Sequence, residues 1–484
     1  MEQNKTNAEA ARRKRLVFCF DGTWNKVDSN TPTNVVQTAA SVLPLDEHGI
    51  AQFVYYDQGV GTGGKLDVLT GGAMGAGLTQ NLADAYRTLI LNHTPGDEIF
   101  IFGFSRGAYT ARSFVGLINN CGIVDRSQVD RVNEAIDFYR SRRPETKPDR
   151  LEANQFRAKV SSSSCISAAE HEWRCANVPG HHIATSIIKI AYVGVWDTVG
   201  ALGVPARYRL LARLFNNHLQ FHDTGIAPVV SSARHALAID EDRSDFDASP
   251  WTGLADLNAA SGKAGTAEEP FKQLWFPGTH ASVGGGGDVR GLSDSALSWV
   301  WDGARLANLQ LDTSPGSRIY QLNPDPAAPL DCVDWSRITR MQWLSAKLKT
   351  ALWRRSTRKG PSSIDEVSIP AKRRWHTPAA ALPERRPYRP ASLAALSGAL
   401  DALPIEPFSP PATGTFTWYV VKAGDQLGRI AQRLIGPSGK SADLMALNGD
   451  IIQDAQRIFP GRALRIPKPV VATGVTAVGA VADA

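Results

Sequence analysis

The chain has 484 residues, 43% of them hydrophobic, and this length predicts one large domain together with a smaller one. Its formal net charge of +6 is mild, and neither a zinc-finger spacing nor an arginine-rich base-reading helix accompanies it, so no nucleic-acid partner is predicted. No window reaches about eighteen apolar residues, which argues against a membrane-spanning helix. The apolar run 16–20 is shorter than the roughly seven residues of a signal-peptide core, so no secretory signal is predicted.

Apolar runs that alternate with helical patterns predict an α/β fold with a mostly parallel central sheet, covered on both faces. Residues 59–77 are rich in glycine but lack the spacings of nucleotide-binding loops, so they are interpreted as a rim loop. A helix is predicted over 77–92 from its three- and four-residue apolar spacing. The predicted strands are 16–20, 52–56, 98–102, 187–196 and 273–276.

The apolar strand from Glu98 runs directly into Gly103-Phe104-Ser105-Arg106-Gly107, a G-x-S-x-G pattern followed by a proline-free helical stretch. This context is typical of a nucleophile elbow, in which a sharp strand-to-helix turn exposes the serine. The amide of Arg106 would then face a developing oxyanion. The loop after the first strand is expected to supply a second amide, from Gly22 or Thr23.

The five cysteines are scattered, which indicates packing in a reducing compartment rather than a disulfide framework. Cys165 and Cys175 lie near His171, His181 and His182, a set that could form a metal site or a disulfide bridge. No standard ligand spacing supports a metal there, so the segment is interpreted as a polar insertion loop, and neither a metal nor a cofactor is predicted.

Two further residues follow predicted strands, where catalytic groups collect in parallel sheets. Asp197 ends one strand and His280 follows another, and the order Ser105, Asp197, His280 is that of α/β-hydrolases. Such a serine needs a neutral imidazole to take its proton and a carboxylate to orient the imidazole. The alternatives are His235 for the base and Asp240, Asp242 and Asp245 for the acid.

Residues 337–359 contain eight Lys or Arg residues and no Asp or Glu, with apolar residues at helical steps. A basic amphipathic helix is predicted, which either lies in an anionic membrane interface or packs on the core with its basic face in solvent. The membrane-contact candidates are Met341, Trp343, Leu344, Lys347, Leu348 and Trp353.

Five blocks together resemble the α/β-hydrolase family of type VI secretion lipase effectors: 20–25, 103–108, 195–200, 280–286 and 292–294. The resemblance implies an α/β-hydrolase fold over 15–396 and a bacterial phospholipase that uses Ser105, Asp197 and His280. In that family an aspartate usually stands at the position of Ser282, so any role of that acid is in doubt here. The alternatives to a phospholipase are a hydrolase of soluble esters and a non-catalytic cell-wall protein with a hydrolase fold.

The resemblance also implies where the chain acts and with which partners. It would be made in the bacterial cytoplasm without a signal peptide, exported by type VI secretion to the periplasm of a target cell, and meet membrane phospholipid there. An immunity protein and a spike component of the secretion system are the expected protein partners.

A proline-rich linker is predicted over 397–416, then a compact module over 417–468 and a tail over 469–484. The module is similar to the lysin motif (LysM), a βααβ domain. That resemblance implies binding of peptidoglycan or other N-acetylglucosamine chains through Gly424, Asp425, Asn448, Pro460 and Gly461.

Overall fold

The computed structural model describes the chain as two compact units, residues 1–409 and 410–484. Most of the predicted basic helix and parts of several loops lie outside the described residues. Those described are 13–22, 29–59, 71–141, 143–181, 186–200, 225–266, 268–314, 316–332, 355–405, 415–422, 424–449, 452, 455–456, 458 and 463–468.

A six-stranded sheet forms the centre of the larger unit, and every neighbouring pair of its strands is parallel. Two-residue strands β4 (Ser164–Cys165) and β5 (Ser186–Ile187) form a separate parallel pair. The order in the large sheet is β2-β1-β3-β6-β7-β8. Its strands are β1 (Lys14–Phe20), β2 (Ala51–Asp57), β3 (Glu98–Phe104), β6 (Lys189–Trp196), β7 (Ala233–Ala238) and β8 (Phe271–Phe276).

Helices cover the sheet, and several of them directly follow a strand in the chain. Short 3-10 helices occupy Arg126–Arg131, Pro144–Thr146, Ser244–Phe246, Ile364–Glu366, Ala379–Ala381 and Ala391–Leu396. The α-helices of this unit are α1 (Asn34–Ser41), α2 (Gly71–Asn92), α3 (Arg106–Cys121), α4 (Val132–Arg140), α5 (Leu151–Val160), α6 (Ala168–Asn177), α7 (Leu254–Ala260), α8 (His280–Gly284), α9 (Gly291–Leu306), α10 (Arg318–Gln321), α11 (Ile369–His376) and α12 (Ser397–Asp401).

The inner strands are buried along nearly their whole length, which is why they have continuous apolar runs instead of alternating ones. Their side chains join those of α2 and α3 in one hydrophobic cluster, and the rings of Phe18 and Phe114 lie 4.8 Å apart within it. None of the described helices has both the length and the apolarity that crossing a bilayer requires.

The predicted α/β class and parallel sheet are confirmed, and three local predictions are corrected. Strand β7 was missed because its arginine and histidine interrupt the apolar run, although all six of its residues are buried. Helix α2 begins at Gly71 and not at residue 77. Residues 355–359 of the segment predicted as a basic helix are not helical, and Arg355 pairs in a β-bridge with Arg243.

The predicted linker also begins too early at residue 397. Residues 397–401 form helix α12, and Leu400 is fully buried in a cluster with Leu237 and Trp275. Proline content indicated irregular chain there, but this helix packs into the larger unit.

The smaller unit has the predicted βααβ order. Strand β9 (Phe416–Val420) pairs antiparallel with β10 (Ala463–Pro467), and α13 (Leu427–Leu434) and α14 (Ser441–Leu447) lie between them in the chain. Leu427, Ile430, Leu444 and Leu464 are buried together in its own core.

Candidate active site

Ser105 lies at the turn between β3 and α3 in a backbone conformation that side-chain-bearing residues rarely adopt. Its φ is 58° and its ψ is −122°. Strain of this kind persists only where the surroundings impose it, and here the amide of Ser105 donates to the carbonyl of Trp196 at 3.1 Å. The end of β6 therefore helps to hold the serine at the end of β3.

The glycines of the motif are needed because the turn packs against backbone. A Cβ on Gly107 would lie 2.2 Å from the carbonyl oxygen of Phe20, and one on Gly103 would lie 2.7 Å from Cα of Ala108. These contacts leave no room for a side chain, so the motif is required by packing as well as by the turn.

The structure brings Ser105, His280 and Asp197 into one hydrogen-bonded chain. His280 Nε2 lies 2.8 Å from Ser105 Oγ, and His280 Nδ1 lies 2.5 Å from Asp197 Oδ2. The exposed fractions of these residues are 5%, 5% and 0%. With Nδ1 protonated toward the carboxylate, Nε2 can accept the serine proton.

Arg358, which the sequence did not single out, holds the Asp197 carboxylate from the other side. Its Nη1 and Nη2 donate to Oδ1 and Oδ2 at 2.7 and 2.9 Å, a bidentate pair between two buried groups. The amide of Ala238 adds a hydrogen bond of 2.9 Å to Oδ1. Arg358 also donates to the carbonyls of Ala238 and Phe246, so it ties the acid to the chain after β7.

The charges around the site favour an ionised aspartate and a neutral histidine. Burial opposes ionisation of Asp197, but Arg358 and His280 outweigh it and hold the pKa of Asp197 well below its usual range. Burial lowers the pKa of His280, with Arg358 acting in the same direction, while Asp197 and Glu241 oppose the shift. His280 therefore remains a neutral base to a lower pH than an exposed histidine, whose pKa is about 6.5.

Packing fixes the His280 ring between two aromatic side chains. The ring centroids of Phe104 and Phe246 lie 4.7 and 4.9 Å from that of the imidazole. A Cβ on Gly284 would lie 1.9 Å from the Phe104 ring, so a glycine is required there for Phe104 to reach this position. The amide of His280 donates to the Glu241 carboxylate at 3.1 Å, which holds the start of α8.

Of the predicted oxyanion donors, Arg106 lies directly after Ser105 as the first residue of α3, at the start of the predicted helix. The prediction that Gly22 donates to the oxyanion is wrong, because its amide donates to the Asp21 carboxylate at 2.7 Å within its own loop. That carboxylate also accepts from the hydroxyls of Thr33 and Tyr56, so Asp21 organises the loop. Thr23 lies outside the described residues.

The alternative bases and acids have other contacts. His235 lies between Gln273 and the amide of Thr198, and burial lowers its pKa to about 3. Asp240 accepts from the amide of Gly278 and the hydroxyl of Tyr388. Asp242 pairs with Arg355 near the surface, and the side chain of Asp245 is not among those described.

Two smaller predictions concern Ser282 and the membrane-contact candidates. Ser282, at the family's aspartate position, donates to the carbonyl of Leu330 at 2.6 Å, a contact within the fold. The membrane-contact candidates, Met341, Trp343, Leu344, Lys347, Leu348 and Trp353, all lie outside the described residues.

In the smaller unit one predicted glycan contact is corrected. Asn448 is fully buried, and its side chain bonds the backbone of Arg465 in both directions, at 2.9 and 2.6 Å, so it holds β10 and has no surface to offer a sugar. Gly424 is exposed at a φ of 79°, and Asp425 beside it accepts from the hydroxyl of Tyr419 at 2.6 Å. Pro460 and Gly461 lie outside the described residues.

The sheet is parallel, and a serine at a strained strand-to-helix turn is hydrogen-bonded to a histidine that is in turn bonded to an aspartate, each of the two following another strand. This arrangement defines an α/β-hydrolase-like protein. The family model of the type VI secretion system (T6SS) phospholipase effector Tle1-like catalytic domain matches residues 14–303, and a LysM domain model matches residues 419–467. The chain therefore belongs to the T6SS Tle1-like phospholipase effector family and has a LysM domain after the catalytic domain.

The chain spans less than two thirds of the length of each individual protein that it resembles. An uncharacterized protein of Saccharomyces cerevisiae, YEL023C, is 25% identical over 256 residues, and the match spans 50% of this chain but 33% of that one. Among solved structures, an uncharacterized protein from Pseudomonas aeruginosa is 15% identical with a TM-score of 0.39, over 84% of this chain and 62% of that one. A Tle1 effector bound to the VgrG spike of the type 6 secretion system is 17% identical with a TM-score of 0.30, over 56% and 50%.

Replacing Arg358 by Met tests the charge balance of the site, because it removes the buried cation and keeps an apolar stem. The cation lowers the pKa of His280, so we expect His280 to titrate at higher pH in Arg358→Met than in wild type. The measurement is an NMR titration of the imidazole resonances, assigned with His280→Gln. Arg355→Met removes an exposed arginine and should leave the midpoint unchanged; an unchanged midpoint in Arg358→Met would contradict the assigned role.

Proposed function

We propose that the chain is a serine phospholipase of the A type, which hydrolyses acyl esters of membrane phospholipids through Ser105, His280 and Asp197. The observation that carries the proposal is the hydrogen-bonded chain of these three side chains within the region matched by the phospholipase family. The positive φ of Ser105 supports it, since strain of this kind concentrates at functional sites.

In the proposed acylation step, Ser105 Oγ attacks the ester carbonyl carbon while His280 Nε2 takes the hydroxyl proton. Asp197 accepts the hydrogen bond from Nδ1 and stabilises the imidazolium that forms. The oxyanion lies at the start of α3, where the amide of Arg106 donates to it and the positive end of the helix dipole favours negative charge. The acyl–oxygen bond then breaks, and His280 protonates the departing glycerol oxygen.

Deacylation repeats these roles with water as the nucleophile. His280 takes a proton from the water as it attacks the acyl carbon, and returns that proton to Ser105 Oγ when the fatty acid leaves. Burial of the histidine favours this cycle because the base is neutral at the start of each half-reaction.

Two rival functions differ in what they predict. A hydrolase of soluble esters would keep the same three residues but would not prefer lipid aggregates, so activity on phospholipid vesicles compared with short soluble esters separates the two. A non-catalytic wall protein would not need the strained serine or the hydrogen bonds that join Ser105 to His280 and His280 to Asp197.

We further propose that the LysM domain binds peptidoglycan through N-acetylglucosamine, with the exposed turn at Gly424 among the contacting groups. A lipase that reaches a periplasm would thereby stay beside the membranes that it attacks. Export by type VI secretion with a spike component, and neutralisation by an immunity protein, complete the proposal and rest on family membership.

Ser105→Ala should lower fatty-acid release from phospholipid vesicles by about 10⁴-fold or more, because it removes the nucleophile. Ser113→Ala, a substitution on the same helix, is the matched control and should retain activity within about threefold. Released fatty acids are quantified by mass spectrometry with sn-1 and sn-2 chains of different lengths, which also assigns the position cleaved. Wild-type activity in Ser105→Ala would refute the catalytic assignment.

Ending the chain at Ser409 should leave phospholipid hydrolysis intact while reducing co-sedimentation with purified peptidoglycan, since the two units have separate cores. Both quantities are measured on the same preparations, and vesicle hydrolysis is the control for folding. Undiminished binding by the shortened chain would refute the glycan role.

A further inference from the structure

The segment between α3 and β6, which the sequence analysis interprets as a polar insertion loop, brings together one cysteine and two histidines. Cys165 comes from β4, His171 from the middle of α6, and His181 from the turn after α6. One ligand atom from each lies within 4.8 Å of the others, and His171 Nδ1 is 3.2 Å from His181 Nε2.

The separation of the two imidazole nitrogens suits a small metal ion. Two nitrogens bound at roughly 2.0–2.1 Å to a tetrahedral zinc lie about 3.3–3.4 Å apart, close to the observed separation of the two imidazoles. A thiolate and two imidazoles are ligands that zinc prefers, while harder ions such as magnesium and calcium prefer oxygen.

The scaffold holds each ligand independently of the others. Cys165 is buried, and its backbone is fixed by pairing with Ile187 and by the hydrogen bond from the amide of Ile188 to its carbonyl, 2.8 Å long. Next to His171, Glu170 is buried in ion pairs with Arg157 and Arg174 and anchors α6. The amide of His181 donates to the carbonyl of Val178, which forms the turn after the helix. The ligands are therefore preorganised by contacts that do not involve the ligating atoms.

We propose that Cys165, His171 and His181 form a zinc site that fastens the turn after α6 to β4. Three protein ligands leave the fourth position of the tetrahedron to a water molecule or another small ligand. Cys175 lies 3.8 Å from the other ring nitrogen of His171, Nε2, and is outside the ligand set, because one imidazole directs only one nitrogen to a given ion.

The test uses the full chain, purified without chelator, dialysed against zinc and then against buffer, with bound metal measured by plasma mass spectrometry. Wild type should retain about one zinc per chain. His181→Ala and Cys165→Ser should lose affinity by more than the roughly 10–100-fold that loss of a mere outer-shell partner costs. Cobalt substitution adds a spectroscopic readout, since wild type should show a thiolate-to-cobalt charge-transfer band that Cys165→Ser lacks.

The Cys175→Ser variant and circular dichroism provide two controls. Cys175→Ser removes a thiol from the same helix and should retain the metal; loss equal to that in His181→Ala would overturn the three-ligand set. Circular dichroism checks that each variant is folded. If Cys165→Ser fails to fold, His181→Ala is the variant that tests loss of a ligand. If the wild-type chain retained no more zinc than the His181→Ala variant, the proposed zinc site would be refuted.

Discussion

The carboxylate of Asp197 is the group on which the arrangement of this site depends. It has no exposure to solvent, and an isolated buried charge would be costly, so its partners determine whether it is ionised. Arg358 supplies a bidentate pair, Ala238 an amide and His280 an imidazole. The buried arginine makes the aspartate an ionised acceptor and at the same time restrains protonation of the histidine. Asp197 thus orients the imidazole, while burial, with Arg358 acting in the same direction, lowers the pKa of His280.

Sheet topology delivers the three side chains to this point. Strands β3, β6 and β8 are parallel, so the residues that follow them emerge at one edge of the sheet. Adjacent β3 and β6 are coupled by the hydrogen bond from Ser105 to Trp196, and both Ser105 and Asp197 adopt positive φ at these strand ends. Glycine at 107 and 284 lets the turn and the Phe104 ring pack without a clash. The geometry of Ser105 is therefore a property of neighbouring strands as much as of its own motif.

Local patterns were sufficient to predict most strands and the parallel sheet, because burial leaves continuous apolar runs in a short stretch of sequence. Strand-end position also pointed to Ser105, Asp197 and His280, three residues that the structure joins by hydrogen bonds. Contacts between distant residues were not predictable in this way. Arg358 is 161 residues from Asp197 and sits in a stretch whose charge indicated solvent or lipid, because charged side chains are seldom buried unless paired. The resemblance to the lysin motif implied a glycan contact at Asn448, whereas its side-chain amide holds the backbone of Arg465 inside the LysM domain. Cys165, His171 and His181 lack a standard spacing and meet only when β4 and α6 fold together.

The central claim is that Ser105 is a nucleophile activated by His280, and covalent labelling tests it most directly. A fluorophosphonate probe reacts with serines that are activated in this way, and digestion followed by mass spectrometry identifies the residue that carries the adduct. The account predicts one adduct, on Ser105, in the wild-type chain, and a loss of labelling in the His280→Gln variant. An unlabelled wild-type chain, or an adduct on a different serine, would contradict it.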